Sequence, residues 1–328
     1  MKALIVGASG HLGAHLARAL LSRGINVRAL VRPGSRRAGL AGIDVEIVTG
    51  DVLDRDSVRE ALRGCMCLYH LAAPTTAGEP VDRIIMEGTR IVIEESARSG
   101  IDRAVVTSST VTVGYANDPS IVLDEGSFEQ SSATGYHAAK WEAERFVIEF
   151  TRRSGLPIII VNPSAVVGSL DYRVTPSTAP IQRCIDRGLP FAFPGGITIA
   201  HAADVAVGHV QAMEHGIPGE RYILGGERLT IPNYFALISQ ICGRQPPRLV
   251  LPQWAMLGVG AGCMIARSLG IGSVPFSFRQ IRNIVGRYAW YSSEKARSVL
   301  GYQSRPASEA IKAYADWVAS GRPAGKTR

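Results

Sequence analysis

The stretch Lys2-Ala-Leu-Ile-Val-Gly7-Ala-Ser-Gly10-His-Leu-Gly13 opens the chain and decides its fold. It begins as a short apolar run typical of a strand, and a turn with three glycines follows without a spacer. Residues 14–23 carry apolar side chains three and four positions apart, which predicts a helix. Residues 27–31 form a second apolar run, so the order is strand, glycine-rich turn, helix, strand.

A glycine-rich turn at the start of a helix is suited to binding phosphate. Its backbone N–H groups face the anion, the helix dipole favours negative charge, and glycine lets the backbone approach a pyrophosphate closely. A purely structural turn is the alternative, but the flanking strand and helix are the context that dinucleotide binding requires. The cofactor contacts predicted in this turn are Gly7, Ser9, Gly10, His11, Leu12 and Gly13.

The composition is that of a globular protein. The 328 residues are 46% hydrophobic and 20% charged, which is enough for one large domain or two. No apolar run reaches the roughly 18 residues of a membrane-spanning helix, and the first run is too short for a secretory signal. The five cysteines are scattered and lack metal-site spacing, so we expect free thiols, no metal centre and a cytoplasmic location.

The net charge of +8 comes mainly from arginine, since only five of the 36 basic residues are lysines. The arginines are spread along the chain and form no basic block interleaved with aromatic residues. A nucleic-acid partner is therefore not predicted. An anionic cofactor or substrate accounts for part of the charge, and solvated surface accounts for the rest.

Apolar runs separated by amphipathic segments continue through the first half of the chain. Strands that alternate with helices at this spacing predict an α/β fold with a doubly wound parallel (Rossmann) sheet. Asp56 is expected to cap a short helix that ends near residue 63. Further strands are predicted at 45–49, 66–71, 104–109 and 158–161, and long helices at 81–98 and 135–153.

The strand–helix rhythm breaks after Pro163, although a strand is still predicted at 221–224. We expect residues 1–170, with a returning segment near 198–226, to form the dinucleotide-binding domain. Residues 171–197 and 227–328 are predicted to form a smaller, mostly helical substrate domain over the carboxyl ends of the strands. Its helices are predicted at 234–242, 254–269, 276–286, 293–300 and 307–319.

Arg32 follows the second strand, at the position that contacts the adenosine ribose. A carboxylate there bonds the 2′-hydroxyl of NAD, whereas an arginine pairs with the 2′-phosphate of NADP. No acid is near Arg32 in sequence, so NADP is favoured over NAD; a solvent-facing loop arginine is the alternative. Asp51, after the third strand, would accept from the adenine amino group or cap turn amides. The other cofactor contacts predicted at strand ends are Val52, Leu71, Ala72 and Ala73.

Tyr136 and Lys140 are four residues apart on a predicted helix, so their side chains lie on one face about one turn apart. The ammonium stabilises a phenolate, so we expect it to lower the tyrosine pKa from about 10, and it can also reach a bound ribose. Ser109 ends the fifth strand, where it can donate to a substrate carbonyl. With the glycine turn upstream, these residues predict a proton donor, a cation that adjusts the pKa of that donor, and a hydrogen-bond donor to the substrate oxyanion. All three would lie beside a hydride source.

Seven segments carry a family resemblance: Gly7-Ala-Ser-Gly-His-Leu-Gly13, His70-Leu-Ala-Ala73, Thr107-Ser-Ser109, Tyr136-His-Ala-Ala-Lys140, Asn162-Pro-Ser164, His201-Ala-Ala-Asp204-Val and Leu300-Gly-Tyr302. With them the chain resembles the extended short-chain dehydrogenase/reductases over nearly its whole length. Arg32-Pro-Gly-Ser, Val161-Asn-Pro-Ser and Arg221-Tyr-Ile-Leu-Gly-Gly-Glu make it most similar to the dihydroflavonol 4-reductase-like branch, which includes bacterial proteins called hopanoid-associated sugar epimerases.

The resemblance implies that Ser109, Tyr136 and Lys140 are the catalytic triad. Ser109 is preferred to Ser108 because it matches the second serine of the family's pair. The resemblance also implies that Pro163 and Ser164 lie beside the nicotinamide.

Three positions depart from the family pattern. Ile85 stands where an asparagine of a proton relay is usual, Ala139 where a serine precedes the lysine, and His11 where an aromatic residue is customary. His201 and Asp204 look catalytic, but the resemblance implies a role in packing and hydrogen bonding.

These observations predict an NADPH-dependent carbonyl reductase, or alcohol dehydrogenase, that acts on a fairly apolar ketone and takes its proton from Tyr136. Two alternatives remain open: a sugar epimerase that retains its cofactor, and a non-catalytic NADP-binding regulator. A homodimer is expected through the helices at 81–98 and 135–153. Core packing, an apolar pocket or contact with a membrane surface remain open for the apolar segment 254–257 with Met264, Phe276 and Phe278.

Overall fold

The computed structural model describes residues 1–73, 81–128, 135–258 and 285–322. Two sheets lie in this part of the chain. Their strands are β1 (Lys2–Val6), β2 (Asn26–Val31), β3 (Glu46–Thr49), β4 (Cys67–His70), β5 (Arg103–Thr107), β6 (Ile158–Pro163), β7 (Ala165–Val167), β8 (Gly196–His201), β9 (Arg221–Leu224) and β10 (Glu227–Thr230).

The large sheet has seven strands in the order β3-β2-β1-β4-β5-β6-β9. Every neighbouring pair in it is parallel. The order runs outward in both directions from β1 and β4, which is the doubly wound arrangement predicted from the sequence. The strand ends after β1, β2, β4 and β5 therefore meet along one edge, where such sheets bind their ligands.

Helices cover both faces of this sheet, because alternate residues of each strand point to opposite sides. Ala3 and Ile5 pack in one core, and Leu4 and Val6 pack in the other. Fully burying a side chain of the size of Leu4 contributes about 1.5–3 kcal/mol. The first core contains α1 (His11–Leu21) and α6 (Ala202–His215), and the second contains α2 (Arg55–Leu62), α3 (Val81–Arg98) and α4 (Tyr136–Ser154).

The smaller sheet has the order β10-β8-β7, with β10 antiparallel and β7 parallel to β8. The sequence interpretation contains none of these three strands, which all lie after Pro163, where the strand–helix rhythm breaks. Three helices share a core with β7 and β8. They are α5 (Ala179–Arg187), α7 (Ile231–Ile241) and α8 (Ala307–Ala319).

The chain leaves the large sheet after β6 and returns to it twice. α6 packs beside α1, and β9 adds the last strand next to β6. The proposed division near residue 170, with a returning segment, is compatible with this path and remains a proposal.

Local details differ from the sequence expectations at two helix ends. Asp54, not Asp56, caps α2, because the Asp56 amide donates to Asp54 Oδ1 over 3.0 Å. α7 begins at Ile231 because the Thr230 hydroxyl accepts from the Asn233 amide.

The remaining helix predictions concern the last third of the chain. Residues 296–300 form a π-helical turn, and α8 matches the predicted helix at 307–319. Residues 253–258 are helical, but most of the helices predicted at 254–269 and 276–286 lies outside the described residues, as do Met264, Phe276 and Phe278. Within the described ranges, no helix is long and apolar enough to cross a membrane.

Candidate active site

The glycine turn packs against the end of β4. Gly7 has a φ of +96°, and a Cβ there would lie 2.8 Å from the backbone nitrogen of Ala72. A Cβ on Gly13 would lie 2.3 Å from the carbonyl oxygen of Gly7. Only glycine fits at both positions, because the turn, the helix and the strand end approach one another through their backbones. The turn thus lies beside Leu71 and Ala72, two residues predicted to line the cofactor.

The N-terminus of α1 is suited to an anion. Gly10 occupies its N-cap position, the first turn of α1 contains no acid, and no side chain among the described residues caps it. The N–H groups of the first turn therefore have no side-chain acceptor there, and the helix dipole adds positive potential. Ser9 and Leu12 flank Gly10 and are half-buried. A cradle of this kind fits the pyrophosphate of a dinucleotide.

His11 contributes its side chain to a different contact. Its imidazole is buried beside Asp171 and the backbone of residues 168 and 169, and burial lowers its pKa. His15 lies 5.6 Å away between ring centroids, and its Nε2 is 2.9 Å from the Ser169 carbonyl oxygen. The two histidines thus join the first turns of α1 to the loop after β7.

Arg32 and Asp51 lie at the carboxyl ends of the neighbouring strands β2 and β3. The Gly50 amide donates to the Val31 carbonyl over 3.1 Å, which holds these two strand ends together. Asp51 Oδ1 accepts from the Leu53 amide over 3.0 Å, so it caps a local turn. Val52 packs against α3, and the half-buried Arg32 begins the loop after β2.

Ser109 is fixed by the turn that follows β5. Its side chain accepts from the Val111 amide over 3.3 Å, and its carbonyl oxygen accepts from Thr112 Oγ1 over 2.8 Å. A hydrogen bond joins the Ser109 side chain to Tyr136 and favours the phenolate. The structure therefore brings the predicted serine and tyrosine together.

Lys140 is buried one turn after Tyr136, and its Nζ donates to the Thr107 carbonyl over 2.8 Å. Burial lowers its pKa to about 8, while the charge of Glu144 opposes this shift. The ammonium thus points at the end of β5.

The expected lowering of the Tyr136 pKa by Lys140 is wrong for this structure. Burial raises the Tyr136 pKa, opposed only by the hydrogen bond with Ser109. Burial outweighs the hydrogen bond with Ser109, and Lys140, whose Nζ donates to the Thr107 carbonyl, is not among the groups that shift the Tyr136 pKa. Tyr136 is consequently a phenol at neutral pH, the form that can donate a proton.

The Glu144 carboxylate is fully buried one turn beyond Lys140, and the sequence interpretation missed it. Its Oε2 accepts from Ser108 Oγ, from Thr112 Oγ1 over 2.7 Å and from Asn162 Nδ2 over 2.9 Å. Its Oε1 lies 2.5 Å from Nε of Arg221. The spacing of four residues after Lys140 was the available signal, since it places Glu144 on the same helix face as the triad.

Asn162 and Pro163 end β6 beside this cluster, and Ser164 follows the strand. Besides Glu144, the Asn162 side chain donates to the Ser109 carbonyl over 3.2 Å. Ser164 Oγ is buried and has no hydrogen-bond partner in the described part of the chain. A buried hydroxyl without a partner costs free energy unless a ligand or water satisfies it, so Ser164 suits a cofactor contact.

Two residues that depart from the family pattern lie in an apolar cluster around Tyr136. Ile85, Ala139 and Ala143 are buried there, and Ala73 packs on them with Tyr136. An apolar side chain at position 85 cannot relay a proton.

His201 and Asp204 have structural partners. His201 Nδ1 accepts from the Ala203 amide over 3.1 Å, and Asp204 pairs with Arg305 at 2.7 Å. These contacts cap α6 and hold the segment before α8. In the described residues, no group of three or more histidine, cysteine or acidic side chains is placed to hold a metal ion.

This fold and this arrangement define the class of nicotinamide dinucleotide enzymes built on a Rossmann sheet. The chain belongs to the NAD dependent epimerase/dehydratase family, whose model matches residues 3–225. It is an NAD(P)-dependent oxidoreductase of the extended short-chain dehydrogenase/reductase type, and it fits the dihydroflavonol 4-reductase-like branch.

Three known proteins illustrate the likeness. Sterol demethylase protein B of Methylococcus capsulatus is 37% identical over 79% of this chain and 80% of its own length. A putative dihydroflavonol 4-reductase of Synechocystis is 33% identical over 77% of this chain and 76% of its own. The crystal structure of gox2253 superposes with a TM-score of 0.86 at 34% identity and covers 98% of both chains.

Glu144→Gln is expected to change the pH dependence of turnover. Because the Glu144 charge raises the pKa of Lys140, its removal lowers that pKa below about 8. The Lys140 ammonium is then lost at lower pH, so the alkaline fall in the reduction rate moves to lower pH. Loosening of the Ser109 turn lowers kcat roughly tenfold to a hundredfold. The measurement is a kcat and kcat/KM profile from pH 6 to 10.

Glu149→Gln is the matched control, because Glu149 is exposed on the same helix and lies 3.8 Å from Arg145. Thr112→Val removes the hydroxyl that bonds both Glu144 and the Ser109 carbonyl but leaves the Glu144 charge, so it lowers kcat and leaves the alkaline limb in place. Profiles of Glu144→Gln and the parent that differ only in amplitude would contradict the electrostatic part of this account.

Proposed function

We propose that the protein is an NADPH-dependent carbonyl reductase, working also in reverse as an alcohol dehydrogenase, on a fairly apolar ketone. The observation that carries the proposal is the convergence of Ser109, Tyr136 and Lys140 at the end of β5, next to the glycine turn and β4. The free thiols of the described cysteines suit a cytoplasmic location.

In this proposal the dinucleotide lies along the carboxyl edge of the sheet. The α1 N-terminus holds the pyrophosphate, Arg32 the 2′-phosphate, and Lys140 the ribose beside the nicotinamide. The path of the dinucleotide between these three positions is lined by Asp51, Val52, Leu71, Ala72, Ala73, Pro163 and Ser164. The bound nicotinamide supplies the hydride to the carbonyl carbon.

The chain's own groups handle the proton. Tyr136 Oη donates it to the carbonyl oxygen as charge develops there, and Ser109 Oγ donates a hydrogen bond to the same oxygen. The raised pKa of Tyr136 favours reduction, since the phenol is the form present at neutral pH. Oxidation needs the phenolate, so the reverse reaction is favoured at alkaline pH.

An apolar substrate is supported by the surroundings of Tyr136. Its neighbours Ile85, Ala139 and Ala143 offer methyl and methylene groups in place of a polar relay. A relative that is 37% identical is named for sterol demethylation. A polycyclic isoprenoid alcohol or ketone is therefore the substrate class to test first.

The epimerase alternative draws support from the matched family, which includes enzymes of that kind by its description. A reductase consumes NADPH in proportion to product. An epimerase interconverts two isomers with no net change in cofactor. A binding protein does neither. Nicotinamide absorbance combined with product analysis separates the three.

Tyr136→Phe is expected to lower turnover of a reducible ketone by at least about 100-fold, because general acid catalysis contributes roughly 10²–10⁴-fold. The substitution removes one oxygen, so NADPH binding should stay close to that of the parent. A ketone panel followed by NADPH absorbance supplies the substrate and the rates.

Tyr222→Phe is the matched control. Its hydroxyl accepts from the Ile217 amide over 3.0 Å, away from the triad, so the same chemical change should reduce stability and leave turnover intact. Unchanged turnover in Tyr136→Phe would refute the mechanism whatever the cofactor.

Arg32→Asp should shift cofactor preference from NADPH toward NADH. Charge-assisted pairing with a phosphate contributes about 1.5–3 kcal/mol, so the parent should bind NADPH at least about tenfold more tightly. Fluorescence titration with both cofactors measures the two affinities. Arg23→Asp is the control, because Arg23 is exposed just after the end of α1. Equal affinity of the parent for both cofactors would exclude NADP specificity.

We also propose a homodimer through the outer faces of α3 and α4. Phe146 and Phe150 lie 5.6 Å apart between centroids, and Arg90 stacks 5.4 Å from the Phe146 ring centroid. Trp141 extends this half-buried aromatic face by one turn. Phe146→Glu with Phe150→Glu should convert a dimer into a monomer by light scattering, whereas Ile217→Glu should not. A monomeric parent at micromolar concentration would contradict the proposal.

A further inference from the structure

One stretch of the sequence is free of acidic residues. Between Glu227 and Glu294 there are seven arginines and neither aspartate nor glutamate. The stretch therefore carries most of the net charge of +8, although the arginines along the whole chain are widely spaced. An acid-free, arginine-bearing segment favours a negatively charged partner.

The segment at 249–258 in this stretch is anchored to the protein from one side. Leu251, Met256 and Leu257 pack with Phe191 and other apolar side chains. The backbone is tied down as well, because Ala192 N donates to the Leu249 carbonyl over 2.8 Å and Leu251 N donates to the Ala192 carbonyl over 2.9 Å. The inner side of the segment is thus fixed, so its outer side has a defined orientation.

The outer side of the segment is apolar and basic. Trp254 is 77% exposed, Leu249 55% and Val250 49%, whereas large apolar side chains that pack inward are mostly buried. Arg244 and Arg248 are exposed just before them. We name these five residues the Trp254 surface. A tryptophan beside aliphatic and arginine side chains is the composition that lies at the boundary between lipid headgroups and acyl chains.

We propose that the Trp254 surface docks the protein on an anionic lipid bilayer. Trp254, Leu249 and Val250 would enter the headgroup boundary, while Arg244 and Arg248 would pair with lipid phosphates. This proposal goes beyond the proposed reaction and does not depend on it.

Charge favours lipid over the other occupants. A second copy would bring Arg244 and Arg248 of one surface against the same two arginines of the other, which is repulsive in a two-fold interface. A nucleic acid would pair with the arginines but leave three large apolar side chains against a polar groove. A bilayer with anionic headgroups satisfies both the charge and the apolar area.

The test is co-sedimentation of the full chain with vesicles of phosphatidylcholine alone or of phosphatidylcholine mixed with anionic phosphatidylglycerol. We expect binding to the anionic vesicles to be at least about tenfold tighter, and to weaken with salt. Trp254→Ser with Leu249→Ser, and Arg244→Gln with Arg248→Gln, should each abolish most of it. Both pairs change exposed side chains, so circular dichroism should match the parent.

Two controls keep the test specific. Ile217→Ser removes an apolar side chain that is 53% exposed elsewhere, and Arg23→Gln with Arg63→Gln removes the same charge from other surfaces. The proposal is overturned if the parent ignores anionic vesicles, or if the controls weaken binding as much as the surface variants. It is also overturned if the variant with Trp254→Ser and Leu249→Ser is a monomer in light scattering where the parent is a dimer. The same holds if duplex DNA competes with the vesicles for the parent and this variant no longer binds the DNA.

Discussion

The buried carboxylate of Glu144 is the constraint on which the candidate site depends. It comes from α4, and its partners come from the turn after β5, the end of β6 and the start of β9. A buried ion pair adds little net stability over apolar packing, but removal of one partner costs about 3–5 kcal/mol. Its value therefore lies in position: Tyr136 and Lys140 share the helix with Glu144, and Ser109 lies on the turn that Glu144 holds. The turn after β5, the end of β6 and the start of β9 are far apart in sequence, and Glu144 thereby holds them in fixed positions around α4.

The large sheet could be predicted because each of its signals is local. Apolar runs and helical spacing recur with a regular alternation, and the tight turn at Gly7 and Gly13 admits no other residue. The smaller sheet was not predicted, because β7 has only three residues, β10 is largely polar, and all three strands lie where the regular strand–helix alternation has stopped. The cap of α2 shows the same limit at small scale: Asp54 and Asp56 are equally good candidates in sequence, and only the backbone geometry selects Asp54.

The candidate site, like the fold, could be predicted from the sequence only in part. The sequence could predict Tyr136, Lys140 and the serine after β5, because helix and sheet geometry fix the directions of their side chains. Glu144 was not singled out, because its importance arises from Arg221 and Asn162, which only the folded sheet brings near. The Tyr136 pKa was expected in the wrong direction because it depends on burial and on where the Lys140 ammonium points, and neither follows from a spacing of four residues.

The late return of the chain to the large sheet has a consequence for synthesis on the ribosome. β6 is made early, yet its outer edge pairs with β9, and the Glu144 carboxylate meets its guanidinium partner only when Arg221 has emerged. Until then an apolar parallel sheet presents an open edge and a buried acid lacks its counter-charge. Such nascent chains are prone to edge-to-edge association. The large sheet of this protein is thus complete only once residues 221–224 have emerged, and a chain cut before residue 221 leaves the β6 edge unpaired and Glu144 without Arg221.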